Sequence, residues 1–144
     1  MNEPGGSRRM TIKRHRIPAA PLPPQGVKYH HASEADGWLY VTGQLPADPG
    51  SPSAPFPHGI AAQAEQTLQK KMIVEAAGFG LSDTVFARIY LTHFERDFDG
   101  FNAVYHRYFA DDEQVPSRTT IGVAKLGRDA LVEVDLVLYR RPRS

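Results

Sequence analysis

The segment 115–139, VPSRTTIGVAKLGRDALVEVDLVLY, constrains the fold more than any other part of the chain. From residue 132 onward, apolar side chains occupy every second position. These positions are Val132, Val134, Leu136 and Leu138. Because successive side chains of a strand point to opposite faces, this alternation predicts a strand with one face in a core. Arg118, Glu133 and Asp135 interrupt the apolar pattern and need a separate explanation.

Two segments have the spacing of amphipathic helices. Segment 60–80 carries an apolar stripe of Ala61, Ala64, Leu68 and Met72. Gly78 stands where a helix C-cap glycine is expected, so one helix is predicted here. The second segment carries Phe98, Phe101, Tyr105 and Tyr108 at spacings of three and four. Asp97 is the expected N-cap of this second helix.

Four strands are predicted, at 37–45, 84–92, 117–125 and 130–139, from β-branched and aromatic content between breakers. Segments 18–26 and 46–59 are proline-rich and are therefore loops. The order of strands and helices predicts an α+β fold with a mixed sheet and two helices on one face. We expect residues 1–16 to form a basic tail and a short edge strand, and residues 17–144 to form one domain.

The charged residues fall on one face if the last two strands form a tight hairpin across LGRD. An even-length connection pairs Arg118 with an odd-numbered residue, so Arg118, Glu133 and Asp135 are expected to share a face. This face is either the solvated side of the sheet or a partly covered interface. The apolar residues Leu131 and Val137 on the same face favour an interface with a second subunit.

Composition excludes several classes of function. The formal net charge is +1, which gives no electrostatic case for nucleic-acid or membrane binding. The chain has no cysteine, which excludes disulfides and thiolate chemistry and fits a cytoplasmic protein. No segment has the run of about 18 apolar residues that a membrane span needs. The basic N-terminus lacks the apolar stretch of a secretory signal.

Several separated motifs resemble the YjgF/RidA family of reactive-intermediate deaminases. PSRTTIGVAKLGRDALVEV is similar to the C-terminal signature of the family. KYHHASEADGWLYVTGQLPADP resembles its N-terminal stretch, and AEQTLQKKMIVEAAG its first helix. LSDTVFARIYLTHFERDFDGFNAVYHRYF resembles the following strand and second helix, so the resemblance covers residues 17–140.

The resemblance implies a chorismate-mutase-like fold that assembles as a homotrimer around a central barrel, with ligand sites between subunits. It also implies hydrolysis of enamines or imines, such as 2-aminoacrylate and its imine tautomer, to 2-keto acids and ammonia. The expected partners are a small carboxylated substrate and two further copies of the chain. No metal and no organic cofactor is implied.

The resemblance also implies roles for individual residues. Arg118 matches the arginine that holds the substrate carboxylate, which a guanidinium can bind with two parallel hydrogen bonds. Glu133 matches the glutamate that orients the attacking water and acts as a general base. Residues expected to bind substrate are Tyr29, Thr42, Gly43, Asn102 and Thr120. Structural roles remain open for all of these residues: an ion pair for Arg118 and Glu133, and a strand end, helix surface or rim position for the others.

The sequence departs from the family pattern around the expected pocket. Lys28 replaces a proline, His31 a glutamine and Gly127 a proline. These differences leave two alternatives: a carboxylate-binding protein without hydrolysis, and an enzyme for a bulkier intermediate. His30 and His31 are a poor metal-chelating pair, because adjacent residues of a strand point to opposite faces.

Overall fold

The computed structural model describes residues 11–142, so residues 1–10 of the predicted basic tail lie outside the described part. Six strands form one sheet: β1 (Lys13–His15), β2 (Ala32–Ala35), β3 (Trp38–Gln44), β4 (Thr84–Leu91), β5 (Ser117–Gly122) and β6 (Val132–Tyr139). The helices are α1 (Ile60–Leu68), α2 (Lys71–Ala76) and α3 (Phe94–Tyr108). None of the helices between residues 11 and 142 is both long and apolar enough to cross a bilayer.

The strand order in the sheet is β1-β2-β3-β6-β4-β5. The β4–β5 pair is parallel, connected through α3, and all other pairs are antiparallel. The even-numbered residues of β6 are buried in the core with apolar residues of the three helices. The predicted fold class, a mixed sheet with its helices on one face, is confirmed.

The hairpin of β2 and β3 is a feature that the sequence prediction missed. The two strands are joined at Asp36 and Gly37, which both have positive φ angles, 56° and 88°. Asp-Gly with two positive φ angles is typical of the tight turns that match strand twist. This dipeptide was the signal that could have predicted the hairpin.

The predicted hairpin of the last two strands is wrong. β4 lies between β5 and β6, so the two strands do not pair. Residues 123–131 cross the end of β4, with a 3-10 turn at Gly127–Asp129. A parallel β4–β5 pair needs the long α3 crossover, and this crossover leaves the other edge of β4 available to β6.

This topology corrects the predicted position of Arg118. Arg118 pairs with Ala87, which pairs with Leu136, and directly opposed residues lie on the same face of a sheet. Arg118 therefore lies on the face that the helices cover. Glu133 pairs with Tyr90 and lies on the opposite face, together with Asp135. The expectation that Arg118 shares a face with the two carboxylates is wrong.

The single helix predicted over 60–80 is broken at Gln69 and Lys70. The Thr67 hydroxyl donates to the Gln63 carbonyl, a local bond that bends helices. The buried Lys70 ammonium donates to the carbonyls of Gln66 and Leu45, at 2.9 and 3.3 Å. Because the helix breaks here, the Lys70 side chain connects α1 to the loop after β3 through these two hydrogen bonds. Within the predicted apolar stripe, Ala64 and Leu68 are buried, whereas Ala61 is exposed.

Of the two predicted helix caps, the C-cap at Gly78 is confirmed and the N-cap at Asp97 is wrong. Gly78 follows α2 with a φ angle of 91°, and its N–H donates to the Glu75 carbonyl while that of Phe79 donates to the Val74 carbonyl. This pair of bonds is a Schellman motif, so the C-cap prediction is confirmed. Asp97 is not the N-cap of α3, because the helix begins at Phe94. Asp97 is buried in the first turn and accepts two hydrogen bonds from Arg96.

The sheet face opposite the helices is uncovered and aromatic. Its exposed residues include Trp38, Tyr40, Ile121 and Tyr139. Asp135 lies among them and accepts hydrogen bonds from Arg88 Nε at 2.9 Å and the Tyr90 hydroxyl at 2.8 Å. This cross-strand network explains the presence of Asp135, which the sequence left without a role.

Lys70 gives a testable stability prediction. Burial lowers the pKa of Lys70 to about 8 from an ordinary value of 10.5. Between these pH values the unfolded chain binds more protons than the folded chain, so the free energy of unfolding rises with pH. Relative to Lys70→Met, wild type should gain up to about 3 kcal/mol across this interval. Urea unfolding at fixed protein concentration over a pH series measures the difference.

The matched control is Lys71→Met, because Lys71 is the adjacent lysine and is exposed to solvent. This variant should keep the pH dependence of wild type. If Lys70→Met also kept it, the titration would not belong to Lys70.

Candidate functional site

Arg118 lies in a polar and aromatic niche between β5 and α3. Its Nε donates to the Thr120 hydroxyl at 2.8 Å, and one terminal nitrogen donates to the Asn102 side-chain oxygen. The guanidinium carbon also lies 4.6 to 5.8 Å from three ring centroids of α3. These rings belong to Tyr105, Phe101 and Phe98. Stacking and hydrogen bonds together fix the plane of the guanidinium.

No carboxylate among residues 11–142 forms an ion pair with Arg118. Burial lowers the pKa of Arg118, because loss of solvent disfavours its charged form. A half-buried cation without a counterion is costly unless an anion completes the site. The two bonds to Thr120 and Asn102 leave further N–H donors of the guanidinium available.

The three rings next to the Arg118 guanidinium form an aromatic platform, which the sequence analysis did not assign to the site. The sequence assigned Phe98, Phe101 and Tyr105 to the core-facing side of a helix, which is also correct. The Tyr105 hydroxyl is buried and has no hydrogen-bond partner among the described residues. Burial raises the pKa of Tyr105 to about 12, with the charge of Arg118 opposing the rise. This hydroxyl therefore stays neutral beside the guanidinium.

Glu133 lies beside a bulge in β3. The β3–β6 register shifts between Val41 and Gln44, so Thr42 and Gly43 form the irregular segment next to Glu133. A Cβ atom at Gly43 would lie 2.1 Å from Glu133 Oε2. Gly43 is thus needed for close approach of the carboxylate to the strand.

The Glu133 carboxylate is half-buried and forms no hydrogen bond or ion pair with any residue of the described chain. Burial raises the pKa of Glu133, and the nearby charge of Asp135 raises it further. Neither Arg118 nor Lys125, the two basic residues that could pair with it as a structural ion pair, binds it: Lys125 pairs with Asp129, and Arg118 lies on the other face. A carboxylate with a raised pKa and no partner can accept a proton from a bound water.

Tyr29 and Thr42 join the Glu133 side. Burial raises the pKa of Tyr29, and the charge of Glu133 adds to this effect. The Thr42 hydroxyl donates to the His30 carbonyl at 2.6 Å, which fixes the segment after Tyr29. His31 is buried, accepts from the Ile17 N–H and contacts the Pro21 carbonyl at 2.8 Å. Both ring nitrogens of His31 therefore contact backbone atoms of the loop and are not available to bind a metal.

The predicted site residues thus form two separate groups. Arg118, Asn102 and Thr120 lie together on the helix side of the sheet. The second group lies on the opposite side of the sheet, beside the bulge where β3 pairs with β6. It consists of Tyr29, Thr42, Gly43 and Glu133. One chain does not bring the two groups together, because the sheet separates Arg118 from Glu133.

The chain belongs to the YjgF/RidA family. The family model described as Endoribonuclease L-PSP matches residues 20–139. A RutC family protein of Sulfurisphaera tokodaii is 39% identical over 110 residues, 76% of this chain and 85% of that protein.

An enzyme and a solved structure from Escherichia coli are also similar. The chain is 32% identical over 133 residues to the 2-iminobutanoate/2-iminopropanoate deaminase of strain K12, covering 91% of this chain and 98% of that protein. The crystal structure of the E. coli YjgF gene product superposes with a TM-score of 0.80 at 30% identity. It covers 90% of this chain and 99% of the E. coli chain.

The orphan hydroxyl of Tyr105 gives a prediction on stability. Tyr105→Phe removes no hydrogen bond within the described chain, so the free energy of unfolding should stay the same or rise. Tyr90→Phe is the matched substitution, because it removes the hydrogen bond to Asp135. It should lower the free energy of unfolding by about 1–3 kcal/mol. Urea unfolding of both variants checks this, and an equal loss would mean that Tyr105 has a partner.

Proposed function

We propose that this protein hydrolyses small 2-imino acids, and their enamine tautomers, to 2-keto acids and ammonia. The observation that carries the proposal is the half-buried Arg118 guanidinium, which has no counterion among residues 11–142. It is held by Thr120, Asn102 and an aromatic platform. The similarity to a 2-iminobutanoate/2-iminopropanoate deaminase supports the same chemistry.

Arg118 binds the substrate carboxylate. Two parallel N–H groups of a planar guanidinium match the two oxygens of a carboxylate, and these charge-assisted bonds are among the stronger hydrogen bonds in proteins. Because Asn102, Thr120 and the Tyr105 ring hold the guanidinium before the ligand arrives, little side-chain freedom is lost on binding. The bound carboxylate fixes the position of the adjacent imine carbon.

Glu133 activates the water that attacks this carbon. The carboxylate accepts a proton from the water as the water oxygen bonds to the imine carbon, and the imine nitrogen takes a proton from solvent to give a carbinolamine. Glu133 then donates its proton to the amino group, the C–N bond breaks and ammonia leaves, and the hydroxyl proton passes to solvent as the keto group forms. The sum is one imine and one water to one keto acid and one ammonia.

The active site is formed between two copies of the chain. Arg118 and Glu133 lie on opposite faces of one sheet, so a substrate that contacts both needs Arg118 of one subunit and Glu133 of another. The uncovered aromatic face, with Trp38, Tyr40 and Ile121, supplies apolar surface for such an assembly. We propose the homotrimer that the family resemblance implies.

Substitutions of the two central residues test the activity. Arg118→Ala should abolish keto-acid release from freshly generated 2-iminopropanoate, and Arg118→Lys should restore little, because an ammonium lacks the planar fork. Glu133→Gln should lower kcat by about a hundredfold or more while 2-oxobutanoate still binds. The measurement is coupled keto-acid detection, with calorimetry for binding. Wild-type protein that binds 2-oxobutanoate without turnover would overturn the hydrolysis and leave a binding protein.

Mixing the two inactive variants tests whether subunits share the site. In a one-to-one mixture of Arg118→Ala and Glu133→Gln chains refolded together, each shared site receives both intact residues with a probability of about a quarter. Activity should therefore return to about a quarter of wild type after mixing. Each variant refolded alone is the control. A mixture that stays as inactive as its components would contradict a site built from two subunits.

A further inference from the structure

A hollow of about 590 Å³ lies beside Tyr29, in the proline-rich loop between β1 and β2. It is lined by Arg16 and residues 22–30, and we call it the Tyr29 hollow. Residues 22–24 and Val27 give it an apolar wall. A 2-imino acid with a methyl or ethyl side chain would leave most of this volume empty.

The Tyr29 hollow keeps its shape through hydrogen bonds within the loop and one hydrogen bond to β3. His31 binds the Ile17 N–H and the Pro21 carbonyl, both at 2.8 Å. The Thr42 hydroxyl binds the His30 carbonyl, and the Val27 N–H donates to the Pro24 carbonyl at 3.0 Å. Prolines restrict the remaining backbone, so the hollow is formed before any ligand binds.

The charges that line the Tyr29 hollow are all positive. Arg16 and Lys28 line it and are exposed, and no acidic residue is among the lining residues. Neither Arg16 nor Lys28 forms an ion pair with a described residue. Two neighbouring cations without a counterion attract an anionic group.

The Tyr29 hollow adjoins the catalytic carboxylate of the proposed reaction. Tyr29 and His30 line the hollow, and the His30 carbonyl accepts a hydrogen bond from the Thr42 hydroxyl at 2.6 Å. The residue after Thr42 is Gly43, which lies directly against the Glu133 carboxylate. A substrate whose imine carbon lies near Glu133 can therefore extend its side chain past Tyr29. The side chain would then run along the apolar wall toward Lys28 and Arg16.

From this arrangement we infer, on the basis of the proposed function, that the preferred substrates are 2-imino acids whose side chain carries a second carboxylate. Arg118 of one subunit binds the carboxylate next to the imine. Lys28 and Arg16 of the neighbouring subunit bind the side-chain carboxylate. Lys28 thereby determines specificity at a position where the family pattern has a proline.

Binding of stable keto acids tests the inference without the need for turnover. The probes are 2-oxoglutarate and 5-methyl-2-oxohexanoate, in which an isopropyl group replaces the second carboxylate. By calorimetry, wild-type protein should bind 2-oxoglutarate about tenfold more tightly than the isopropyl analogue. This ratio should fall by about threefold or more in Lys28→Gln and again in the Arg16→Gln double variant. Added salt should lower it as well.

Arg14→Gln is the matched control, because Arg14 is an exposed arginine of β1 that does not line the hollow. It should keep the wild-type ratio. Wild-type protein that binds both keto acids equally, or a ratio that Lys28→Gln and Arg16→Gln leave unchanged, would overturn the inference. If 2-iminopropanoate is still hydrolysed in either case, the proposed function stands. If no keto acid binds and no imine is hydrolysed, both fail.

Discussion

The position of β6 between β3 and β4 is the constraint on which the rest of the structure depends. Its even-numbered residues face the helices, and they are Val132, Val134, Leu136 and Leu138. This alternation fixes the opposite direction for Glu133 and Asp135, since a slip of one residue would bury both carboxylates. Because β6 occupies one side of β4, β5 can only pair with the other side and becomes the sheet edge. The edge position of β5 places Arg118 above α3 rather than beside Glu133.

The helices and most strands could be predicted from the sequence, because each depends on local periodicity. The alternation in β6 and the aromatic spacing in α3 correspond directly to buried faces. The pairing of strands could not be predicted in this way. Whether β5 pairs with β6 or with β4 depends on contacts that neither strand encodes locally, and the short LGRD connection favoured the wrong choice. The break at Lys70 was missed because a lysine is rarely buried, and here it is bound to two backbone carbonyls.

The site residues were predicted from family motifs. The structure explains why local sequence patterns alone could predict only some of the contacts of these residues. Arg118 and Thr120 are two residues apart in one strand, so their hydrogen bond follows from strand geometry. The platform of Phe98, Phe101 and Tyr105 was predicted as helix core, and it serves both roles because the guanidinium lies at the edge of the core. The proximity of Gly43 to Glu133 depends on a bulge, which the sequence signals only through the glycine itself.

The separation of Arg118 from Glu133 has an electrostatic consequence. An arginine and a glutamate that met within one chain would form an ion pair, and the pair would have to break before a substrate carboxylate could bind. On opposite faces of the sheet neither is neutralised by the other. Burial raises the pKa of Glu133, and the bonds of Arg118 to Thr120 and Asn102 leave other N–H groups of its guanidinium available to a ligand. In the proposed site between subunits, the carboxylate-binding arginine and the general base would therefore meet at one substrate without neutralising each other before it binds.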